Sequence, residues 1–122
     1  MYTKQKQKEE IERVIAVFKD YIEPNPHIDI LWSDKMGYVL FLDYMPQHDS
    51  LGMLPELIRS PERLCSQLLY EAFHDFTKTL GDSHCPEDAS VAEYIQFKKE
   101  MELYMDQIPE YEHVLEELFV DE

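Results

Sequence analysis

Near the start of the chain, apolar side chains recur every three or four residues, the spacing that places them on one side of an α-helix. This stripe consists of Ile11, Val14, Ile15, Phe18, Tyr21 and Ile22. Thr3 is a suitable N-cap, and Pro24 and Pro26 follow the stripe. Because a residue before proline is driven out of the helical region, the pattern predicts one continuous helix from about Thr3 to Ile22.

The spacing becomes strand-like over residues 27–45. One half alternates Ile28, Ile30 and Trp32 with His27, Asp29, Leu31 and Ser33, and the other half, Tyr38 to Met45, is apolar at nearly every position. The stretch SDKMG between them indicates a short turn that ends with Gly37 in the left-handed conformation. The pattern therefore predicts a β-hairpin. Residues 51–58 could add a short third strand, which Pro55 would place at an edge, and the alternative is that the hairpin pairs with a second copy of itself.

The second strand of this hairpin is apolar on both faces, and such a strand needs cover on both faces. Helices of the same chain could supply that cover. A second copy of the chain is the alternative, so the sequence also predicts a homodimer through the hairpin.

Helical spacing returns after Ser60 and continues towards the C-terminus. Ser60 and Pro61 suit the N-cap and first positions of a helix that should reach about Leu80, before Gly81. A further helix should run from residues 86–90 to Gln107, and a shorter one from Pro109 to about Phe119. The element order αββααα predicts an α+β fold, with a hairpin packed against three to four helices. A length of 122 residues fits one compact acidic domain, residues 1–122.

Negative charge is concentrated at the C-terminal end. The net charge is −15, and residues 81–122 carry two basic and thirteen acidic side chains. The predicted partner-binding residues are the carboxylates of the last two helices: Glu100, Glu102, Asp106, Glu110, Glu112, Glu116, Glu117 and Asp121. Such a field repels nucleic acid and anionic membranes and favours a basic protein partner. The basic cluster Lys4, Lys6 and Lys8 is interpreted as a solvated helix start.

Two Glu-x-x-His pairs, Glu71/His74 and Glu110/His113, are candidate metal ligands, because positions i and i+3 share a helix face. Sixteen glutamates make such pairs close to what composition produces by chance. They are therefore secondary candidates, and no cofactor is predicted.

Weaker candidates lie in the connecting segments. His84 and Cys85 precede a predicted helix, where a thiol can become reactive. Asp43, His48 and Asp49 follow the second strand and could form a polar cluster. Cys65 lies on an apolar helix face and is predicted to be a core residue. A phosphate-binding glycine loop, G-x-S-x-G, H-E-x-x-H, paired C-x-x-C and an EF-hand loop are all missing from the sequence.

Three functions remain open on these observations. The first is a non-catalytic protein-interaction or accessory domain, favoured by eight tyrosines and six methionines, residue types common in interfaces. The second is a nucleic-acid mimic that occupies the basic groove of a nucleic-acid-binding protein. The third is a small metal-dependent enzyme that uses the Glu/His pairs. Two cysteines and no apolar leader predict a cytoplasmic protein without membrane contact.

Overall fold

A computed structural model describes residues 3–43, 53–79 and 90–118. Its elements are α1 (Lys4–Val17), α2 (Lys19–Ile22), β1 (Ile28–Ser33), β2 (Gly37–Asp43), β3 (Met53–Leu57), α3 (Pro61–Lys78), α4 (Val91–Met105), a 3₁₀ turn (Pro109–Tyr111) and α5 (Glu112–Leu118). The α+β fold is confirmed. None of the helices in these ranges is long and apolar enough to cross a membrane.

The chain divides into two compact units, residues 1–64 and residues 65–122, with the division inside α3. We call them the N-terminal unit and the C-terminal unit. The N-terminal unit carries eight basic and eleven acidic side chains, a net charge of −3, and the C-terminal unit carries three and fifteen, a net charge of −12. A single domain over residues 1–122 stays a prediction.

Helix α1 begins where the sequence predicts. The Thr3 hydroxyl accepts a hydrogen bond from the Lys6 N–H at 3.1 Å, as an N-cap does. The predicted continuous helix to Ile22 is wrong, because α1 ends at Val17 and Phe18 leaves the helical region at φ −93° and ψ 13°. The Phe18 carbonyl then accepts the N–H groups of both Tyr21 and Ile22 at 2.9 Å, which starts α2. The apolar spacing does not reveal this break, because it depends on the order of apolar and polar residues in the sequence and not on the backbone angles of each residue.

The sheet belongs to the N-terminal unit and has the order β1-β2-β3, with both pairs antiparallel. The predicted third strand is confirmed as an edge strand, and Pro55 pairs with Phe41 of β2. Gly37 ends the hairpin turn with a positive φ of 92°, as predicted. Among the described residues of this unit, the buried apolar side chains are Ile11, Val14, Phe18, Ile28, Leu40, Leu42, Ile58 and Leu64.

The two faces of the sheet differ in exposure. Leu40 and Leu42, on one face of β2, are 1% and 6% exposed. On the opposite face, Leu31, Val39 and Leu57 form one row across the three strands, and Leu31 is 51% exposed. Helices of the N-terminal unit therefore leave the second face partly open, and self-association through the hairpin stays a prediction.

Local chemistry fixes the starts of the two long helices that follow. The Ser60 hydroxyl accepts the Arg63 N–H at 3.1 Å, and Pro61 is the first helical residue of α3, both as predicted. Helix α4 begins at a capping box formed by Ser90 and Glu93. Leu80 and Gly81, the predicted end of α3, lie outside the described residues.

The C-terminal unit has its own apolar interior. Among the described residues, its buried apolar side chains are Cys65, Leu68, Leu69, Ala72, Phe73, Phe97, Met105, Ile108, Tyr111, Val114 and Leu115. Phe97 is 1% exposed, and its ring centroid lies 4.9 Å from that of Phe73 and 5.6 Å from that of Phe76. This aromatic cluster joins α3 to α4, and the burial of Cys65 confirms its predicted core position.

Candidate functional site

A groove of about 370 Å³ in the N-terminal unit brings basic and aromatic side chains together. Three segments form it: the first half of α1, the turn between β1 and β2, and the residues around the end of β3. We call it the cationic groove. Its lining residues are Lys4, Gln7, Lys8, Ile11, Trp32, Asp34, Lys35, Met36, Gly37, Tyr38, Leu57, Ile58 and Arg59.

One face of α1 forms the first wall. Lys4, Gln7, Lys8 and Ile11 follow the i, i+3, i+4, i+7 spacing, so they lie on one side of the helix. The Gln7 side-chain amide donates a hydrogen bond to the Arg59 carbonyl oxygen. This bond ties α1 to the segment after β3 and holds two walls of the groove in place.

An aromatic pair also lines the groove. Trp32 of β1 and Tyr38 of β2 are directly opposite in the strand register, and their ring centroids lie 4.9 Å apart in an edge-to-face arrangement. The Trp32 indole N–H donates to Asp34 at 2.9 Å. The Lys8 ammonium lies 4.7 Å from the centroid of the Trp32 ring, within the range of a cation–π contact.

Tyr38 also contacts an exposed residue of α1. Its hydroxyl donates a 2.6 Å hydrogen bond to a Glu12 carboxylate oxygen. The pKa of Tyr38 is raised to about 12, first by burial of the phenol and then by the hydrogen bond to Glu12 and the negative charge of that carboxylate. Lys8 is also 3.9 Å from Glu12, so one lysine contacts both the ring of Trp32 and the carboxylate that holds Tyr38.

The groove is positively charged in a protein whose net charge is −15. Lys4, Lys8, Lys35 and Arg59 line it, against one acidic residue, Asp34. Across the described parts of the chain, Lys8 has an ion-pair partner, whereas the side chains of Lys4, Lys35 and Arg59 form no ion pair. Three cations that face few competing carboxylates are available to bind an anion.

Sequence reasoning missed this groove. The sequence pattern places Lys4, Lys6 and Lys8 at a solvated helix start. Lys6 forms a surface ion pair with Glu10 at 3.6 Å, and Lys4 and Lys8 in addition line the groove. The hairpin register did carry a signal, because residues on either side of a five-residue turn must pair, and those residues are Trp32 and Tyr38. No sequence spacing relates Arg59 to α1.

The predicted acidic row is exposed but not linear. Glu100, Glu102, Asp106, Glu110, Glu112, Glu116 and Glu117 are all exposed, and Asp121 lies outside the described residues. Positions two apart on an α-helix differ by about 200°, so Glu100 and Glu102 point to different sides of α4. The carboxylates of α4 therefore form two separate flanks.

Between those flanks, α4 exposes a ladder of residues four apart. Val91, Ile95 and Leu103 are 74%, 51% and 79% exposed, and Lys99 occupies the remaining position of the ladder. Residues at i and i+4 are neighbours on a helix surface, so these side chains form one stripe. We call it the α4 ladder.

The two Glu/His pairs occupy different environments. Glu71 on α3 is buried and His74 is half-buried, whereas Glu110 and His113 are exposed. Within residues 3–43, 53–79 and 90–118, no three His, Cys, Asp or Glu side chains converge as a metal site. The candidates His48, Asp49, His84 and Cys85, and the side chain of Asp43, lie outside what the structure describes.

Comparison with known proteins finds no significant match to a family model, to a curated protein or to a solved structure. Function is therefore inferred from the α4 ladder, its acidic flanks and the cationic groove.

Proposed function

We propose that the chain is a non-catalytic protein-interaction domain whose C-terminal unit binds a helix of a partner protein. The observation that supports this proposal is the α4 ladder. Apolar side chains that are exposed singly are ordinary, but three on one helical stripe, with Lys99 between Ile95 and Leu103, form a larger apolar surface. A second helix could cover this stripe by packing an apolar ridge along it.

The acidic flanks specify the charge of that partner. Glu102 and Asp106 are four residues apart and exposed on one side of the ladder, and Glu100 lies on the other side. One carboxylate of the predicted row, that of Glu116, forms an ion pair with Lys98 at 3.2 Å. A partner helix with an apolar ridge and Lys or Arg on both sides of it complements this arrangement, and complementary charge accelerates association.

Exposed ladder residues can be changed without disturbing the interior. We expect the double variant Ile95→Ser, Leu103→Ser to keep the far-UV circular dichroism of the wild type and to lose at least tenfold in affinity for the partner. The partner is first captured from the source cell with the wild-type chain and purified, and calorimetry then measures affinity for each variant. Leu31→Ser, an exposed leucine in the N-terminal unit, is the matched control.

Charge reversal tests the second half of the proposal. Glu102→Lys with Asp106→Lys should weaken binding and reduce its dependence on salt, since exposed charge pairs are screened by ions. Equal affinity of the wild type and the ladder variant would refute the proposal, and so would failure to capture any partner. A captured partner that binds nucleic acid and releases it on addition of this chain would support the mimic instead.

A further inference from the structure

We infer that the cationic groove binds a small organic phosphate whose planar, weakly polar body lies against Trp32. This site is separate from the α4 ladder and belongs to the other unit, so it goes beyond the proposed function. Each of the two proposals can fail without the other.

The charge of the groove favours a phosphate. Lys4, Lys35 and Arg59 line it and form no ion pairs within the described residues. A ligand with one carboxylate would neutralise only one of these three positive charges. A phosphate group carries between one and two negative charges at neutral pH and offers three acceptor oxygens. Arginine binds such a group through two parallel N–H bonds, and lysine binds it as a point charge.

The backbone holds these cations around one space. The Gln7 side chain donates to the carbonyl oxygen of Arg59, and the Arg59 guanidinium forms no ion pair within the described residues. Lys4 lies on the same face of α1 as Gln7, three residues earlier. Lys35 lies in the hairpin turn, which the pairing of Trp32 with Tyr38 closes. These three cations therefore come from three different segments of the chain.

The remaining lining suits an organic body. Trp32 is 45% exposed, and Met36 is 63% exposed. Ile11, Leu57 and Ile58 add apolar surface. A planar ring could lie against the exposed part of Trp32, since base–aromatic stacking is a common way of holding nucleotides. Pockets for small ligands generally have volumes of about 300 to 1,000 Å³, and this groove has about 370 Å³.

The charge of the whole chain favours a small ligand over a large anion. A nucleic acid would extend beyond the groove and meet the field of a protein with net charge −15. Charges more than about 8 Å apart are largely screened at physiological ionic strength, so a small phosphate inside the groove responds mainly to the cations that line it. The groove can therefore attract a small anion that the rest of the protein repels only weakly.

Trp32 is the single tryptophan of the chain, so its fluorescence reports on the groove directly. The full chain is titrated with AMP and UMP, and with adenosine, uridine and inorganic phosphate as partial ligands. We expect a saturable change in fluorescence with at least one nucleotide, and at least tenfold weaker binding of the matching nucleoside and of inorganic phosphate. Calorimetry on the same samples provides a second measurement of affinity.

Exposed cations inside and outside the groove supply matched variants. Lys35→Gln and Arg59→Gln should each weaken nucleotide binding at least tenfold. Lys19→Gln and Lys78→Gln remove exposed lysines that do not line the groove, and they should leave binding unchanged. Circular dichroism of each variant checks that the fold is retained.

Three results would overturn the inference: no saturable binding of either nucleotide, equal losses in the groove and control variants, or inorganic phosphate binding as tightly as the nucleotides. The last result would leave an anion site without the ring contact that we propose. Retention of partner binding by the Lys35→Gln and Arg59→Gln variants would show that the two proposals are independent.

Discussion

Tyr38 pairs with Trp32 across the hairpin, donates a hydrogen bond to Glu12 of α1 and lines the cationic groove. Its pKa is raised from the ordinary value of 10.0 to about 12, first by burial and then by Glu12. The folded state therefore holds the phenolic proton more tightly than the unfolded state does. The resulting stabilisation is complete below pH 10 and is lost as the pH rises from 10 to 12.

We predict that the fluorescence of Trp32 falls with a midpoint near pH 12 as Tyr38 ionises, because a tyrosinate 4.9 Å away accepts energy from the indole. Glu12→Gln should shift this midpoint towards 10 without reaching it, since burial remains. Tyr38→Phe should remove the transition. A midpoint at 10 in the wild type would show that neither burial nor Glu12 affects this hydroxyl.

Ser90 is a second residue whose role can be measured in isolation. Its hydroxyl accepts the Glu93 N–H at 3.2 Å, and the Glu93 carboxylate accepts the Ser90 N–H at 2.8 Å. Loss of a serine N-cap generally costs about 1 kcal/mol, and glycine costs only a few tenths. We predict that Ser90→Ala lowers the free energy of unfolding by about 1 kcal/mol in urea and that Ser90→Gly lowers it less. An unchanged stability in Ser90→Ala would mean that the capping box contributes nothing.

At the scale of elements, the hairpin turn depends on the backbone of Gly37. Its φ of 92° is unfavourable for residues with a Cβ atom, although a Cβ placed there would meet nothing within 4 Å. The cost of substitution therefore lies in the backbone. We predict that Gly37→Ala destabilises the chain by about 1 kcal/mol and Gly37→Asn by less, because asparagine tolerates positive φ. Equal losses in urea denaturation of the two variants would point to a cause other than φ.

The elements that could be predicted from sequence are those that local chemistry determines. Thr3, Ser60 and Pro61 mark helix starts because an N-cap involves residues only three positions apart. Pro55 marks an edge strand because it lacks an N–H. The break at Phe18 could not be predicted, since the apolar spacing is the same with and without it.

The candidate sites could be predicted less well than the elements. Exposure of the acidic row follows from the polar positions of α4 and α5. The cationic groove depends on three segments whose proximity is set by the packing of α1 on the sheet, and no local spacing encodes that packing. In the sequence, its residues are typical of turns and helix starts, and nothing there indicates that they lie close together in the fold.

At the scale of the whole molecule, charge is distributed unevenly. The C-terminal unit carries −12 of the total of −15, and the N-terminal unit holds the cationic groove. In the described residues, ion pairs such as Lys6–Glu10 and Lys98–Glu116 lie at exposed or partly exposed positions. Exposed pairs contribute only about 0.2 to 1 kcal/mol each. Repulsion among the unpaired carboxylates should therefore outweigh them at low ionic strength.

We predict that salt stabilises this protein. The screening length falls from about 30 Å at 0.01 M to about 10 Å at 0.1 M, so added NaCl weakens repulsion over the whole surface more than it weakens contacts at 3 to 4 Å. The expected gain is about 1 kcal/mol, or about 4 °C in Tm for a chain of this size. Thermal unfolding followed by circular dichroism measures it.

Matched variants separate repulsion from other effects of salt. Glu112→Gln with Glu117→Gln removes two exposed negative charges from α5 and should reduce the response of Tm to salt. Lys99→Gln removes an exposed positive charge and should increase it. If Tm instead falls as NaCl is added, ion pairs outweigh repulsion, and the excess of carboxylates on the C-terminal unit does not limit stability. If salt raises the Tm of both variants as much as that of the wild type, the stabilisation comes from exclusion of ions from the protein surface and not from screening of charge.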